Sequence, residues 1–525
     1  MENHVGWRTI IVGFALAWMF GVFAGTLVQT QFNLLALQAL GVEIGFGAWL
    51  ETSIGDLKNF APLYAVLFGA SFLVSQPVAA WLVRRFGFAS RAPFLALGAA
   101  VGLWVTFTLV DALAPMPTLI AATRGAGGLL AMLMTAAVSG WMFAALASKH
   151  PSRRGGGNVL VLLAVASGGL VAPDQSLAEQ GTAYQVTTMV RGLDHPWSLA
   201  FLPDGRALVT ERPGRLRIID EDGTLHSDPV IGVPKVFVSG QSGLFDVLVA
   251  PDFEQSRQVF LAYACGTAAA NHTCMARGRL DQSRLSGVEE IFRSYPAKKG
   301  DAHYGGRMVW LPDGSLILSL GDGFDYREEA QKLSSHIGTL VRVERDGSAP
   351  ADNPYIGSPD ALPEIFSYGH RNVQGLVFDE KKDRLIAHEH GPRGGDEINI
   401  IEAGKNYGWP VITKGLDYTG ARVSPFTEYD GMESPALHWT PSIAPSGMAL
   451  YNGDLFPDWS GSLLVGALAA KSVHRVVVSD DGAVDMETLF NELNERIRDV
   501  RAGPDGALYL LTDSPQGRIL RISPE

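Results

Sequence analysis

Cysteine is nearly absent from this chain, which has two in 525 residues, and this scarcity limits its metal and redox chemistry. No Cys-x-x-Cys-His motif occurs, so a covalently attached haem is excluded. Cys265 and Cys274 have only His272 between them as a further ligand, which is a poor set for zinc. The pair, nine residues apart with Gly266 and Asn271 between them, instead predicts a disulfide across a hairpin in an oxidising compartment.

Basic residues are also scarce relative to acidic ones, with 42 Lys and Arg against 54 Asp and Glu. Phosphate binding needs clustered Lys and Arg, so this balance argues against a nucleic-acid partner. The net charge of −12 conceals two unlike parts, because residues 1–158 carry +4 and the remainder carries −16. With 59 Gly, 29 Pro and 11 Trp, the sequence is typical of a turn-rich globular protein joined to a segment that lies in lipid.

Four apolar runs in the first part are each close to the roughly 20 residues that a helix needs to cross a bilayer. They cover about Thr9 to Val28, Ala61 to Val83, Pro93 to Val110 and Gly125 to Ala147. Residues 1–150 are therefore predicted to be a four-helix transmembrane domain whose partner is the lipid bilayer. No histidine lies within these spans to ligate a haem, and Arg124 is expected at the outer end of the fourth.

Charges beside the spans predict their direction. The basic ones are Arg84, Arg85 and Arg91 between the second and third spans, and Lys149, Arg153 and Arg154 after the fourth. The acidic ones are Glu43, Glu51 and Asp56, in the loop between the first two spans. Basic loops stay in the cytoplasm, so we expect a multi-pass protein of the inner (cell) membrane.

Residues 151–184 hold a fifth, shorter apolar run from Val159 to Ala172, followed by the small-x-small pattern Ser176-Leu177-Ala178. This resembles a signal peptide within the chain. Whether it is cleaved near Ala178 or kept as a fifth span, it places the rest of the chain on the periplasmic side. A twin-arginine signal at Arg153-Arg154 is the weaker interpretation, because three glycines follow where an apolar residue is preferred.

From about residue 185 the sequence consists of short β-rich runs separated by one recurring turn. The turns are Pro203-Asp204-Gly205, Pro251-Asp252, Pro312-Asp313-Gly314, Asp379, Pro457-Asp458 and Pro504-Asp505-Gly506. Their spacings of 48, 61, 67, 78 and 47 residues predict an all-β, six-bladed β-propeller over residues 185–525. Loops from several blades would then share one mouth of the central channel.

Polar clusters indicate where the chemistry lies. His303 and Asp322 flank a predicted hairpin, and a carboxylate beside an imidazole makes His303 a candidate general base. A histidine that only fixes loops is the alternative. Arg371, Asn372 and Gln374 form one polar cluster, Gly391, Pro392, Asp396 and Glu397 offer hard oxygen ligands suited to calcium, and Arg496 and Arg498 share a strand face. A polycarboxylate cofactor suits such a set.

The motifs PWSLAFLPDG, GQSGLFDV, HYGGR, LSLGDG, GHRNVQG, EHGP, GDEINII, NYGWP, PSIAPSG and ERIRDV occur in this order. Together they resemble the quinoprotein glucose/sorbosone dehydrogenase family, in particular its aldose sugar dehydrogenase branch, over roughly residues 185 to 525. The resemblance implies a six-bladed propeller that oxidises the anomeric carbon of aldose sugars to lactones with pyrroloquinoline quinone and calcium. The electron acceptor, a quinone or a soluble carrier, stays open.

The resemblance also implies roles for single residues. His303 would take the proton of the anomeric hydroxyl while C1 gives hydride to the quinone, Asp322 would orient His303, and Arg371 would stabilise charge on the quinone oxygen. Gln241 and His303 would contact the sugar. The implied cofactor contacts are Arg371, Asn372, Gln374, His390, Tyr418, Ser442, Arg496 and Arg498. The carbonyls of Gly391 and Pro392 would hold the cofactor's calcium, and Glu397 and Tyr407 a second, structural calcium.

Two positions depart from the glucose-oxidising members of that family. Ala469 occupies the place of a cofactor-contacting lysine, with Lys471 two residues on, and His390 stands where those members have a glutamine, as in the aldose branch. The changes affect expected cofactor affinity and sugar preference more than the reaction class. Two other functions remain open from the residues: a calcium-dependent lactone hydrolase, which leaves the arginines without a role, and a non-catalytic ligand-binding propeller.

Overall fold

In a computed structural model of the chain, residues 6–114, 118–147, 183–479 and 482–525 are described. The signal-like run Val159–Ala172, the position near Ala178, and Lys149, Arg153 and Arg154 lie outside these ranges. The helical region, residues 6–147, is described apart from 115–117, and the β-rich region that begins at Tyr184 is described apart from 480–481.

The helical region contains five α-helices and one short 3₁₀ helix. They are α1 (Trp7–Gln38), α2 (Phe46–Asn59), α3 (Ala61–Phe86), α4 (Ala92–Leu113), the 3₁₀ helix Ala121–Arg124 and α5 (Ala126–Leu146). By length and composition α1, α3, α4 and α5 are able to cross a membrane, as predicted. The first span was predicted too short, because α1 continues ten residues beyond Val28.

Helix α2 lies where the sequence predicted only an acidic loop, so that prediction was wrong. Its 14 residues are too few to cross a bilayer. Thr52, Ser53 and Asp56 are nevertheless buried, because one face of α2 packs against neighbouring helices and the propeller. The acidic residues in this segment therefore make contacts within the protein and do not only face solvent.

Aromatic side chains on α3 form the centre of the helical bundle. Phe60, Tyr64, Phe68 and Phe72 stack successively along one face, with ring centroids 5.3–5.9 Å apart. Gly21 and Gly25 of α1 allow this packing, because a Cβ at Gly25 would lie 2.3 Å from the Tyr64 ring. Close helix approach through small residues is the usual way for membrane helices to associate.

The β-rich region is a six-bladed propeller, as predicted. The first blade consists of β2 (Pro196–Phe201), β3 (Ala207–Glu211) and β4 (Arg215–Ile219), and the second of β5 (Leu244–Val249), β6 (Gln258–Thr267), β7 (Ala270–Asp281) and β8 (Arg284–Arg293). The third blade consists of β9 (Gly305–Trp310), β10 (Leu316–Leu320), β11 (Thr339–Val343) and β12 (Ile365–Tyr368), and the fourth of β13 (Val373–Asp379), β14 (Arg384–Glu389), β15 (Asp396–Ile401) and β16 (Leu437–Trp439). The fifth blade consists of β17 (Pro445–Leu450), β18 (Leu463–Ala467), β19 (Ser472–Ser479) and β20 (Gly482–Leu489), and the sixth of β21 (Ile497–Ala502), β22 (Leu508–Thr512) and β23 (Gly517–Pro524) together with β1 (Tyr184–Leu193). Short helices are α6 (Phe253–Ser256) and the 3₁₀ turns Arg327–Gln331, Pro457–Trp459 and Asn491–Leu493.

Every recurring turn of the sequence joins the first and second strand of a blade. The Pro203-Asp204-Gly205 turn, for example, lies between β2 and β3, and the Pro504-Asp505-Gly506 turn lies between β21 and β22. Each blade repeats this hairpin because its innermost strand must turn back outward from the channel. The ring closes in the sixth blade, where β1 pairs antiparallel with β23 from Tyr184↔Pro524 onward.

The predicted disulfide is present between Cys265 and Cys274, with Cα atoms 6.0 Å apart. It connects β6 and β7, the paired strands of one hairpin in the second blade. Both cysteines are buried in an apolar cluster between the first and second blades.

Candidate active site

The predicted site residues converge on one mouth of the propeller because of strand direction. Every blade begins with its innermost strand, so the segments that precede β5, β9, β13 and β21 meet at the same end of the channel. Gln241, His303, Arg371 and Arg496 are in those segments. The second strand of each blade ends at the same mouth, which brings in Asp322 after β10 and His390 after β14.

His303 and Asp322 lie at the two ends of the β9–β10 hairpin and are in contact. The distance from His303 Nδ1 to Asp322 Oδ1 is 2.6 Å, and both side chains are buried. A carboxylate accepts hydrogen bonds, so Nδ1 carries the proton and Nε2 is left with its lone pair. This tautomer makes Nε2 the atom able to accept a proton.

The backbone around His303 is held in an uncommon conformation. His303 has φ of 49°, in the left-handed region, and Gly305 and Gly306 follow with φ of 67° and 90°. A Cβ at Gly305 would lie 2.5 Å from the Ser319 carbonyl oxygen, so only glycine fits there. The HYGGR motif therefore exists to turn the chain sharply and present the imidazole at the mouth.

The electrostatics around His303 favour the neutral imidazole. Burial, together with the nearby Arg371 guanidinium, lowers the pKa of His303 below its usual range, although Asp322 opposes the shift. Lys298 is a further cation close by, with its ammonium 3.6 Å from the centre of the Tyr304 ring. Burial lowers the pKa of Lys298 to about 7. His303 is thus unprotonated, as a base requires, at neutral pH.

Beside His303 lies a cavity of about 230 Å³. Of the predicted contacts it contains Gln241, Asn372, Gln374, His390, Arg496 and Arg498, and it also contains Arg212, Asp513 and the aromatic residues Trp197, Phe245 and Tyr304. Gln241 links the cavity to the base, because its Oε1 accepts the His303 backbone N–H at 2.9 Å. The amide nitrogen of Gln241 is then free to donate to a ligand.

Arg496 and Arg498 were predicted to share a strand face, but only Arg498 lies in β21, and the two share a counter-ion that the sequence did not indicate. Asp513 Oδ2 lies 3.2 Å from Arg496 Nη2 and 3.0 Å from Arg498 Nη2. Although burial alone would raise it, the two guanidiniums lower the pKa of Asp513 to about 2. Arg498 Nε is buried and has no hydrogen-bond partner among the described residues, so it remains available to an anion.

Arg371 is buried and lies beside the segment proposed to bind calcium. Its Nη1 donates to the carbonyls of His390 and Gly391, at 3.1 and 2.7 Å. Its backbone N–H donates to Glu389, which also binds His370 and Asn399. The carbonyl oxygens of His390 and Gly391 therefore both accept from the Arg371 guanidinium, and each retains a second lone pair.

His390 has a defined tautomer. Its Nε2 lies 2.6 Å from the Pro445 carbonyl oxygen, so Nε2 carries the proton and Nδ1 is an acceptor. Burial and then Arg371 lower the pKa of His390 well below its usual value. A neutral His390 offers the cavity a hydrogen-bond acceptor where a glutamine would offer an amide.

Tyr418 and Ser442 lie outside the 230 Å³ cavity. The Tyr418 hydroxyl is 3.5 Å from Arg371 Nη2, on the other side of that arginine, and its ring stacks with Phe324. Ser442 Oγ donates to Asp396 Oδ2, which also accepts the backbone N–H groups of Ile443 and Ala444. Asp396 is thus occupied in shaping the loop and does not present a free carboxylate to a metal ion.

Glu397 and Tyr407 lie away from the mouth, in the fourth blade. Glu397 pairs across the strands with Glu389, which places two carboxylates side by side, although Glu389 also contacts His370. Burial and the Glu389 charge raise the pKa of Glu397 well above its usual value. The Tyr407 hydroxyl donates to the Ile400 carbonyl and accepts from Glu402, so its carbonyl oxygen is the atom that it would offer a cation.

Lys471 lies two residues beyond Ala469, the position at which a cofactor-contacting lysine was expected, and it does not face the cavity. Lys471 Nζ donates to Asn494 Oδ1 at 3.0 Å. Ala469 is exposed, and the cavity wall at this point is Leu468. The cationic part of the cavity is therefore formed by Arg212, Arg496 and Arg498 alone among its lining residues.

Three residues near the base escaped the sequence analysis: Trp409, Lys298 and Asp513. Trp409 lies within the NYGWP motif, and its Nε1 donates to Asp322 Oδ2 at 2.8 Å. One signal was available, because acidic residues recur at or just after the end of second strands: Glu211, Asp322, Glu389 and Asp513. Lys298 gave no comparable signal, since a lysine in a loop ordinarily faces solvent.

Known proteins match the propeller. Residues 193–521 match the family described as Glucose / Sorbosone dehydrogenase. Aldose sugar dehydrogenase YliI of Escherichia coli is 44% identical over 339 residues, which are 63% of this chain and 91% of that protein. Among solved structures, soluble aldose sugar dehydrogenase from Escherichia coli in the apo form has a TM-score of 0.63 at 42% identity, over 65% of this chain and 100% of that one. The PQQ-bound aldose sugar dehydrogenase from Streptomyces coelicolor has a TM-score of 0.53 at 29% identity, over 65% and 99%.

Proposed function

Since the chain belongs to the glucose/sorbosone dehydrogenase family and is a sugar oxidoreductase, we propose that it is a membrane-anchored aldose dehydrogenase dependent on pyrroloquinoline quinone and calcium. The reaction is oxidation of the anomeric carbon of an aldose to a lactone. One observation carries the proposal: the buried His303–Asp322 pair, 2.6 Å apart, is hydrogen-bonded through the His303 backbone to Gln241, which lines a cavity together with guanidinium and amide groups.

His303 is the general base of the proposed reaction. Its bare Nε2 takes the proton of the anomeric hydroxyl, while the Asp322 carboxylate holds Nδ1–H and stabilises the imidazolium that forms. Trp409 fixes the second oxygen of Asp322, so the carboxylate cannot rotate away from the imidazole. Gln241 donates its amide N–H to a sugar hydroxyl and, through Oε1, holds the backbone of the base in place.

The residues around the cavity suit pyrroloquinoline quinone, which when bound supplies the hydride acceptor that protein side chains lack. Its carboxylates would be bound by Arg212, Arg496 and Arg498, and the unpartnered Nε of Arg498 is a donor of the kind that such a ligand needs. Asn372, Gln374 and His390 would contact its polar edge. Arg371, which is buried beside His390, would stabilise negative charge on a quinone oxygen.

Two calcium positions suit the donor atoms present. The carbonyls of Gly391 and Pro392 are hard oxygen ligands, and that of Gly391 already contacts the Arg371 cation. The second position is beside Glu397 and the Tyr407 carbonyl, where the buried Glu389 and the half-buried Glu397 place two carboxylates together. A divalent cation there would offset the repulsion from Glu389 that helps to raise the pKa of Glu397.

The helical region is the proposed membrane anchor, and the propeller lies on the periplasmic side. Arg84 and Arg85 end α3, and Arg91 precedes α4, at the opposite end of the helices from the propeller. This basic end would face the cytoplasm by the positive-inside rule. The disulfide in the second blade suits an oxidising compartment. The boundaries 1–150, 151–184 and 185–525 are our proposed domain division.

Reconstitution tests this function directly. The purified full chain, given calcium and pyrroloquinoline quinone, should reduce an artificial dye acceptor when supplied with aldoses. Without an aldose, or without the cofactor, no reduction should occur. Failure across a broad panel of aldoses contradicts the proposal. Proton release from lactones without any acceptor would indicate a hydrolase instead, and tight sugar binding without turnover a binding propeller.

A further inference from the structure

The helical region lies on the same mouth of the propeller that carries the base. Two long loops extend from this mouth. The first, residues 321–338 between β10 and β11, carries Asp322 and is named here the base loop. The second, residues 402–436 between β15 and β16, carries Trp409 and Tyr418 and is named the cover loop. Both loops contact helices that were predicted from the sequence only to be a membrane domain.

Arg124 binds the base loop at the outer end of α5. Its Nη1 and Nη2 donate to Glu328 Oε2 and Oε1, at 3.1 and 2.9 Å, and Nη1 also lies 3.3 Å from the Asp325 carbonyl oxygen. The pair is largely buried, with 14% and 24% of the two side chains exposed. Two parallel hydrogen bonds between planar groups fix orientation as well as distance.

Arg327, next to Glu328, is held by the helical region too. Its side chain is buried, and its Nη2 donates to Asn33 Oδ1 of α1 at 2.7 Å. Its Nε donates to Glu328 Oε1 at 3.1 Å, so Arg124 and Arg327 share one carboxylate. Without Asn33 and Glu328 the buried Arg327 guanidinium would lose its close partners. Because an unpaired buried charge is strongly destabilising, Arg327 and the base loop would then move.

The cover loop is bound through its backbone. Asp56 Oδ1 accepts the Arg422 backbone N–H at 2.8 Å, and Asn33 Nδ2 donates to the Arg422 carbonyl at 3.0 Å. Gly420 packs against the end of α2 so closely that a Cβ there would lie 2.6 Å from the Asn59 carbonyl oxygen. Asn33 therefore contacts both loops, one through each end of its amide group.

These two loops also hold the catalytic pair. Trp409 of the cover loop donates to Asp322 of the base loop, and Gln331 Nε2 donates to the Trp409 carbonyl at 2.8 Å. Phe324 lies between His303 and Tyr418, with ring centroids 5.2 and 6.2 Å away. A displacement of either loop therefore moves the carboxylate that orients the base.

A small cavity of about 30 Å³ lies where the two regions meet. It is lined by Thr118, Ala121 and Arg124 from the helical region and by Asp322, Arg371 and Trp409 from the propeller. The helical region thus reaches the layer of side chains immediately behind the catalytic pair, and it closes that side of the mouth.

We propose that the helical region is a structural part of the active site: Asn33 and Arg124 are positioning residues that hold Arg327 and Glu328, and through the base loop they fix Asp322 against His303. This inference rests on the proposed sugar oxidation. A propeller merely tethered by a linker would have the same catalytic constants with or without these contacts.

Charge reversal of the Arg124–Glu328 pair in the full chain tests the inference. Arg124→Glu and Glu328→Arg should each lower kcat by about tenfold with little change in KM for the aldose, since the base is misplaced while the sugar contacts remain. The double reversal should recover part of the lost kcat, because the pair can form again in the opposite sense although Arg327 loses Glu328 as a partner. Arg345→Glu, which breaks the Arg345–Asp252 pair at the other end of the propeller, is the matched control.

Hydrogen–deuterium exchange provides a readout that does not depend on turnover. Without added cofactor, both single reversals and Asn33→Ala should speed exchange in residues 321–338, and the double reversal should bring the rate part of the way back toward wild type. Unchanged exchange and unchanged kcat in the single variants overturn the inference. An inactive wild type would contradict the proposed function alone, since the exchange rates would still decide whether the helices hold the base loop.

Discussion

Trp409 donates its indole N–H to Asp322 Oδ2 over 2.8 Å, while the other oxygen of that carboxylate receives His303. The two residues are 87 positions apart and come from different blades. Their contact extends the His303–Asp322 pair to three groups, in which the proposed base is oriented by a carboxylate and the carboxylate by an indole. Because these two hydrogen bonds restrict the side chains, the His303 imidazole spends less time in rotamers that are unsuited to proton transfer.

Trp409→Phe should lower kcat by about tenfold, since a hydrogen bond to a charged group contributes roughly 1.5–3 kcal/mol. Loss of the donor makes Asp322 more basic, so the pKa of His303 should rise and the acid limb of the pH–rate profile should move to higher pH. Trp310→Phe removes a similar indole hydrogen bond, to the Val249 carbonyl, far from the mouth. If both variants have the same profile, the indole has no role in positioning Asp322.

Lys298→Met should also move the acid limb to higher pH. The Lys298 ammonium is one of the charges that lower the pKa of His303. Its own pKa of about 7 means that it is charged where His303 titrates, below the usual histidine value. Removing the charge leaves His303 protonated up to a higher pH, so kcat/KM measured between pH 5 and 7 should fall while the plateau stays near wild type. A downward shift of the acid limb would be inconsistent with this arrangement.

Glu397→Gln should remove calcium-dependent stability. In the wild type, calcium at 100 times its Kd should raise the free energy of unfolding by about 2.7 kcal/mol, because it binds only the folded chain. The variant lacks one of the two adjacent carboxylates and should show a much smaller rise in melting temperature with calcium. Asp252→Asn, an exposed carboxylate in a turn at the opposite mouth, is the control. A full calcium effect in Glu397→Gln would place the cation elsewhere.

Arg498→Met should weaken binding of pyrroloquinoline quinone by about tenfold or more, since it removes a charge-assisted donor to a carboxylate. The fold should be preserved, because Asp513 keeps Arg496 as its partner. Equilibrium titration with the cofactor measures the change, and Arg206→Met at the opposite mouth serves as control. Equal affinity in the two variants would remove Arg498 from the cofactor site.

Local sequence patterns identified most of the propeller. Each blade uses the same hairpin turn between its first two strands, and a turn is encoded by adjacent residues such as Pro203-Asp204-Gly205. Helix α2 was missed because its 14 residues are neither long nor apolar enough to predict a span, and the side chains of Glu51 and Asp56 resemble those of a solvated loop. Their partner, Arg422, is more than 360 residues away.

In the candidate site, too, the sequence indicated contacts between residues that are close along the chain but not those between distant segments. His303 and Asp322 were paired because a single hairpin separates them, so their spacing implied contact. Trp409, Lys298 and Asp513 were missed because their roles depend on contacts between different blades or loops, which no local pattern encodes. Arg124, just before α5, was expected at the outer end of a span, and its partner Glu328 lies more than 200 residues away in the propeller, where no local pattern indicates it.

The most direct test of the central claim is turnover of the His303→Ala variant reconstituted with calcium and pyrroloquinoline quinone. The variant should bind the cofactor with wild-type affinity, because His303 is not among its proposed contacts, yet kcat for aldose oxidation should fall by about 10²–10⁴-fold, the usual contribution of a general base. Wild-type turnover by a fully loaded His303→Ala protein would contradict the assignment of His303 as the base.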